Sequence, residues 1–244
     1  MNAPRHRFAL VAICLCGVLT PRGYCAANDE VRVRAGTNWT AIKMANDANA
    51  LLEKGDLAGA KRNLDTALKL DPTFWPAHFT RAKLEMHEHK YEAAIRDATT
   101  VLQWRSWFPA AAVLRADANR KLGRYAASLA DLDQVIAIRA EGIVLPTALN
   151  SRAWLRSTCP DAKFRNAQQA IEDAKRACNL TVWKNAGLID TLAVAYAATG
   201  DFDSSLRYEE QAIRVAGPSY QTLNELQQHG DLFKQHRPLR VPPG

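Results

Sequence analysis

Short apolar stretches with helical spacing recur along the chain and are separated by turn-forming residues. The most regular stretch is NDANALLEKGDLAGAKRNLDTALKLDP, residues 46–72. The spacing of its apolar residues predicts two amphipathic helices. Gly55 lies in the turn between them, and Asp71 and Pro72 end the second helix. This helical hairpin is the element that the rest of the chain repeats.

Small residues mark the repeat in three alignment columns. The first column holds Ala48, Ala82, Ala116, Ala153 and Ala193, the second holds Ala60, Ala94, Ser128, Ala170 and Ser205, and the third holds Ala67, Val101, Val135, Ala177 and Ala212. Steps in the first column are 34, 34, 37 and 40 residues, and the second and third columns are always 7 residues apart. This regularity predicts five similar hairpins that bury their apolar faces against one another.

The pattern resembles the tetratricopeptide repeat, a helix–turn–helix unit of about 34 residues, over residues 41–217. The resemblance implies an all-α fold, a right-handed α-solenoid of about five hairpins with a C-terminal capping helix. Six helices are predicted with bounds, at residues 40–53, 57–70, 74–87, 91–104, 108–121 and 125–138.

The fourth hairpin departs from the regular spacing. Three residues are added before it, near 142–146, and five more fall between Ser157 and Asn166. We expect residues 28–39 to form a polar lead-in, 40–217 the solenoid and 218–236 the capping helix. The last eight residues, 237–244, contain three prolines and are expected to be disordered.

Residues 1–27 have the composition of a secretory signal peptide. A short basic segment precedes an uncharged apolar run from Phe8 to Leu19, and small residues follow at Ala26 and Ala27. The alternatives are an uncleaved anchor and, more weakly, a lipid-modified cysteine. Cleavage removes three arginines and no acid, which lowers the formal net charge from +7 to +4. That mild charge argues against a nucleic-acid partner, and we expect a periplasmic or secreted bacterial protein.

Two cysteines, Cys159 and Cys178, remain after cleavage. Cysteines of an exported protein can pair. The hairpin prediction, however, places these two near opposite ends of one helix, which is too far apart for a disulfide. Free thiols are therefore favoured, and pairing stays open.

No sequence motif indicates catalysis. The mature chain contains no phosphate-binding glycine loop, zinc-protease helix motif or nucleophile elbow. His87 and His89 are two residues apart at a predicted helix end, so their side chains point in different directions and make a poor pair of metal ligands. We predict a non-enzyme without cofactor or metal. An enzyme that uses the His87 region or the Cys159 turn is the weakest alternative.

The resemblance also implies where a partner binds. In this family the first helices of the hairpins line a groove that receives a peptide. The matching positions are Asn49, Phe79, Lys83, Met86, Val113, Asp117, Arg120, Asn150, Trp154 and Asp190. Asp117 places an acid among the cations and amides with which some relatives bind a C-terminal carboxylate, which argues against that specificity.

The predicted function is a protein–protein interaction scaffold in an envelope or secretion-related assembly. We expect Phe79, Lys83 and Arg120 to contribute to binding, and specific information to lie in Trp154 and the long turn of the fourth hairpin. The alternative is a structural subunit of a larger envelope complex.

Overall fold

The computed structural model describes residues 38–106, 108–217 and 223–242, and these form eleven α-helices without a strand. The helices are α1 (Trp39–Glu53), α2 (Leu57–Leu70), α3 (Trp75–His87), α4 (Tyr91–Trp104), α5 (Pro109–Lys121), α6 (Tyr125–Ala137), α7 (Val144–Thr158), α8 (Ala167–Leu180), α9 (Ala186–Thr199), α10 (Phe202–Ala216) and α11 (Leu223–Lys234). The predicted signal peptide and nearly all of the polar lead-in lie outside the described residues. No described helix is long and apolar enough to cross a membrane.

The all-α prediction is confirmed for the described residues. Each of the six helices predicted with bounds is present, and its ends differ from the prediction by one residue at most. The chain divides into an N-terminal unit, Met1–Glu88, with α1 to α3, and a C-terminal unit, His89–Gly244, with α4 to α11. In the C-terminal unit α5, α7 and α9 pack side by side, and each also packs against the helix that follows it.

The three columns of small residues form the core between helices. All fifteen side chains are buried, with at most 1% of their surface exposed. Small side chains at these positions let the helix backbones approach closely, and large residues such as Leu64, Leu132 and Leu149 fill the remaining space. The repeat register predicted from the sequence is therefore confirmed.

The turns inside the hairpins require a left-handed backbone. Gly200 ends α9 with φ +87°, a conformation that glycine adopts without steric cost. His89 occupies the equivalent position of the second hairpin with φ +58°, and its Nδ1 lies 2.8 Å from the Tyr91 hydroxyl oxygen. The HEH string therefore has a local role in a turn.

Two partly buried ion pairs join the second helix of a hairpin to its first. Arg115 of α5 binds both oxygens of Asp131 on α6, at 2.9 and 2.7 Å. Arg152 of α7 binds Asp173 on α8 in the same two-pronged manner, with both distances 2.7 Å. Paired hydrogen bonds of this kind fix the orientation of the two helices as well as their separation.

The extra residues of the fourth hairpin fold back onto the protein. A short 3-10 turn at Ala162–Phe164 places Phe164 against Tyr125, with ring centroids 5.5 Å apart. Asn166 then begins α8, because its side chain accepts a hydrogen bond from the Gln169 amide. Cys159, at the start of this turn, is buried.

Cys159 and Cys178 are free thiols, so the favoured prediction agrees with the structure. Burial raises the pKa of Cys178 to about 12, and the pKa of Cys159 is also raised mainly by burial. Both side chains are therefore neutral at physiological pH, which is unfavourable for a nucleophile.

The C-terminal segment consists of helix α11 and the residues that follow it. Helix α11 lies within the range predicted for the capping helix, and its Gly230 follows Ala193 by 37 residues, so it continues the first column. The expected disorder of residues 237–244 stays a prediction; among the described residues of this tail, 237–242, the amide of Val241 donates to the Thr158 carbonyl of α7 at 3.0 Å. Leu239 also packs against the cluster that contains Phe233.

Candidate functional site

The predicted binding positions recur on each first helix, three residues before, one after and four after the first-column residue. We call the surface that these positions form on α1, α3, α5, α7 and α9 the first-helix face. Each of the two units of the chain carries a part of it.

In the N-terminal unit, polar side chains link the neighbouring first helices α1 and α3. Lys83 Nζ donates to Asn49 Oδ1 at 2.7 Å, and Asn49 Nδ2 donates to Glu53 Oε1 at 2.9 Å. Asn49, Lys83 and Met86 are half-buried, so part of each side chain is in contact with solvent. These three predicted residues lie on the accessible part of the face.

Two predicted apolar residues of the face belong to the core. Phe79 on α3 has 8% of its surface exposed, and Val113 on α5 has 6%. Side chains this deeply covered cannot serve as anchors for a partner without local rearrangement. Phe79 and Val113, two of the predicted binding positions, therefore lie in the core and not on the accessible part of the face.

In the C-terminal unit, α5 and α7 carry a polar part of the face. Ser151 Oγ donates to Asp117 Oδ2 at 3.4 Å, and Arg120 Nε lies 3.7 Å from Asp117 Oδ1. Burial raises the pKa of Asp117, and Arg120 and Ser151 oppose this shift. Among the described residues, Arg120 Nε and Asn150 Oδ1 have no hydrogen-bond partner. Both atoms are buried, so they lie beneath the accessible surface of this part of the face.

Helix α11 covers the last part of the face. Asp190 on α9 is buried and accepts a hydrogen bond from His229 Nδ1 at 2.7 Å. Trp154 on α7 is half-buried, and its ring centroid lies 5.9 Å from that of His229. Asp190 is thus not open to a partner, which corrects the prediction, and Trp154 contacts the protein's own C-terminal segment.

Glu209 on α10 lies beside Asp190 and His229. The three residues offer ligand-type atoms that all lie within 4.8 Å of one another. Glu209 is only 1% exposed, and neither of its carboxylate oxygens has a hydrogen-bond donor among the described residues. Burial and the negative charge of Asp190 raise the pKa of Glu209 to about 10. Glu209 is therefore protonated at neutral pH, and a neutral carboxyl can share its proton with Asp190.

His229 responds to the same surroundings. Burial lowers its pKa, but the hydrogen bond to Asp190 and the charges of Asp190 and Glu225 outweigh burial, so the pKa of His229 is raised. The protonated imidazolium is favoured beside the carboxylate of Asp190. The cluster thus combines one basic and two acidic groups at the junction of α9, α10 and α11.

The C-terminal segment completes the hydrogen bonding at the end of α7. The last four carbonyls of a helix have no partner within the helix. The Cys159 amide donates to the Leu155 carbonyl, and the Asn166 amide donates to the Arg156 carbonyl. From the C-terminal segment, Arg240 Nη1 donates to the Ser157 carbonyl and the Val241 amide donates to the Thr158 carbonyl. The face at the end of α7 therefore receives an extended segment of chain through backbone and side-chain hydrogen bonds.

Sequence reasoning missed the buried polar residues, although the repeat alignment contains signals for them. In the third and fourth hairpins, an arginine directly precedes the first-column residue and an aspartate follows the second-column residue by three positions. These pairs are Arg115 with Asp131 and Arg152 with Asp173. Four residues after the second column the chain has Leu64, Ala98, Leu132, Ala174 and then Glu209. An acid at a core position of the fifth hairpin indicates a special environment there.

Comparisons with known proteins agree with this architecture. Residues 186–216, most of the fifth hairpin, match a tetratricopeptide repeat family model. No curated protein matches the sequence of this chain.

Three solved structures illustrate the likeness in fold. The Cut9–Hcn1 hetero-tetramer of the APC/C has a TM-score of 0.62 at 18% identity, over 80% of this chain and 38% of that one. A tetratricopeptide repeat protein from Parabacteroides merdae has a TM-score of 0.61 at 17% identity, over 82% and 74% of the two chains. YrrB, a repeat protein with an unusual peptide-binding site, has a TM-score of 0.51 at 16% identity, over 77% and 92%. The α-solenoid prediction is confirmed. At these low sequence identities the likeness shows a shared fold and nothing further. This chain spans well under half of the first of these structures.

Proposed function

Because residues 186–216 match a tetratricopeptide repeat family model and the chain shares the fold of such proteins, we propose that its first-helix face binds a peptide segment of a partner protein. The proposal makes the protein a non-enzymatic interaction scaffold. It is carried by one observation, the way in which the chain's own C-terminal segment packs on the end of α7.

That segment uses the interactions that peptide recognition requires. A backbone amide of Val241 and the guanidinium group of Arg240 bind helix carbonyls, and Leu239 packs against an apolar cluster. Backbone hydrogen bonds supply affinity for an extended peptide, and side-chain contacts supply specificity. Ser157, one of the two residues whose carbonyls accept these hydrogen bonds, lies four residues after the first-column Ala153 and so occupies a position of the first-helix face.

The uncovered parts of the face offer similar groups to an external peptide. In the C-terminal unit, the side chains of Arg120 and Asn150 are partly exposed. In the N-terminal unit, the side chains of Asn49 and Lys83, which are hydrogen-bonded to each other, are partly exposed. Amide and cationic side chains suit the carbonyl-rich backbone of a peptide and its acidic side chains. YrrB, similar in fold, is a protein with a peptide-binding site, which supports the same use of the fold here.

We place the partner among envelope or secreted proteins, because residues 1–27 have the composition of a signal peptide. An exported scaffold meets partners in the periplasm or outside the cell, and the proposed biological setting is an envelope or secretion-related assembly.

The test compares variants of the face with matched variants of the outer surface. Asn49→Ala combined with Lys83→Ala changes the face in the N-terminal unit, and Arg120→Ala changes it in the C-terminal unit. Lys69→Ala and Arg176→Ala remove exposed cations from second helices and serve as controls. Each protein is expressed in the native organism, cross-linked in the intact cell, purified and analysed by quantitative mass spectrometry.

The proposal predicts that a face variant loses at least about tenfold of one specific partner, which corresponds to about 1.4 kcal/mol. The control variants retain that partner at the wild-type amount. Equal recovery from the face variants and the wild type, with all proteins folded by circular dichroism, would contradict the proposal.

A further inference from the structure

A cluster of potential metal ligands lies at the junction of three helices in the C-terminal unit. Asp190 comes from α9, Glu209 from α10 and His229 from α11. Their ligand atoms lie within 4.8 Å of one another. Among the described residues, this is the cluster of histidine and carboxylate groups whose spacing is compatible with one ion.

The position of Glu209 is unusual for a repeat of this kind. The equivalent residues of the other hairpins are leucine or alanine, and all are buried. A buried acidic side chain that accepts no hydrogen bond is costly even in its neutral form, and both oxygens of Glu209 lack a donor among the described residues. Helix packing alone does not explain an acid at this position, whereas a ligand for a cation does.

We propose that Asp190, Glu209 and His229 bind a divalent transition-metal ion of the zinc class, which fastens α11 to α9 and α10. Imidazole nitrogen and carboxylate oxygen are ligands that this class of ion takes in proteins. The two carboxylates balance the charge of a divalent ion, and a neutral histidine supplies the third ligand. This inference is independent of the proposed function, because it concerns the cap and not the open part of the face.

The surroundings fit a site that an ion can enter. Glu209 is fully buried, but 14% of the His229 side chain is exposed, so the site opens towards solvent on the α11 side. Gly230, next to His229, brings the backbone of α11 close to Glu209, since a Cβ at this position would lie 3.5 Å from Glu209 Cγ. A water molecule can supply a fourth ligand, as in sites with three protein ligands.

The test uses the untagged full chain, treated with EDTA, dialysed and titrated with ZnCl₂ and with CoCl₂. We expect one Zn²⁺ per chain by isothermal titration calorimetry and a rise in melting temperature. With Co²⁺ we expect visible absorption bands of a low-coordinate ion. A loss of Trp154 fluorescence should accompany Co²⁺ binding, because its ring lies 5.9 Å from that of His229.

Variants assign the ion to the three residues. Glu209→Gln keeps the volume of the side chain and is expected to weaken binding by more than about tenfold, the range that even indirect disruption of a metal site reaches. His229→Ala is expected to abolish the Co²⁺ spectrum. Glu210→Gln changes the adjacent exposed acid and should bind as the wild type does. Combined replacement of His87 and His89 by alanine should also leave binding unchanged.

Three results would overturn the proposal. They are the absence of stoichiometric binding in the wild type, unchanged affinity in Glu209→Gln, and loss of binding on replacement of His87 and His89. Because Glu209→Gln removes a carboxylate without creating a cavity, it is expected to fold, and its melting curve in EDTA verifies this.

Discussion

Replacement of Glu209 by glutamine should stabilise the metal-free protein at neutral pH. Glu209 is buried beside Asp190, and its pKa is raised from 4.5 to about 10. At pH 7 the side chain must therefore take up a proton when the protein folds, because it is ionised in the unfolded chain. Glutamine has nearly the same volume, needs no proton, and its amide can donate to Asp190 as the neutral carboxyl does.

The size of the effect follows from the two pKa values. Because the pKa of Glu209 is higher in the folded state than in the unfolded chain, folding has no proton-uptake cost below pH 4.5. Stability is then lost progressively as the pH rises from 4.5 towards 10. One pH unit corresponds to about 1.4 kcal/mol, so the uptake of the proton costs up to about 3 kcal/mol at pH 7. The advantage of glutamine should be near zero at pH 4.5 and grow by about 1.4 kcal/mol per pH unit above it.

Urea unfolding of both proteins in EDTA, at pH 5, 6, 7 and 8, measures this difference. Glu210→Gln is the control, and its free energy of unfolding should follow that of the wild type at each pH. A Glu209→Gln variant whose advantage stays constant with pH, or which is less stable than the wild type at pH 8, would refute the reasoning. Addition of Zn²⁺ should reverse the order of the two proteins, because only the wild type has all three proposed ligands.

Three further changes probe the cap and the hairpins. Gly230→Ala should raise the free energy of unfolding by about 0.5–1 kcal/mol, because alanine favours the helix more than glycine does. The added Cβ contacts only Glu209 Cγ, at an ordinary van der Waals distance, and a lower melting temperature would contradict this prediction. Arg152→Ala should lower the free energy of unfolding, measured with urea, by about 3 kcal/mol, because it leaves Asp173 buried without its ion-pair partner. A decrease below about 1 kcal/mol would count against a structural role of this ion pair. Deletion of residues 237–244 should lower the free energy of unfolding by about 1–2 kcal/mol, because two carbonyls of α7 lose their hydrogen bonds to the tail. Unchanged stability and unchanged hydrogen exchange at the end of α7 would show that the tail does not stabilise it.

The sequence predicted the helices closely because small residues in a packed repeat must recur at the contact points of the helices. That constraint acts on local spacing, and it identified Ala116 and its equivalents as core. The spacing of the small residues does not indicate what fraction of a neighbouring side chain is buried. Phe79 and Val113 share the spacing of face residues, yet their apolar side chains turn into the core, where burial is favourable.

The cap was harder to predict because its contacts join residues that are distant in sequence. Asp190 lies on the predicted face, but His229 covers it from 39 residues away. The tail has the prolines of a disordered segment, and composition does not reveal its two hydrogen bonds to α7, one from the Val241 amide and one from the Arg240 side chain. Only the acid in a core column, at Glu209, was visible in the sequence as a departure from the repeat.

Site-specific photo-crosslinking in the native organism tests the central claim most directly. A benzophenone amino acid is placed at Lys83 and at Arg120 on the first-helix face, and at Lys69 and Arg176 on second helices as controls. If the first-helix face binds a partner, at least one position of the face gives a specific protein adduct and the control positions give none. Adducts that arise only from the control positions, or equally from all four, would contradict a binding role for the first-helix face.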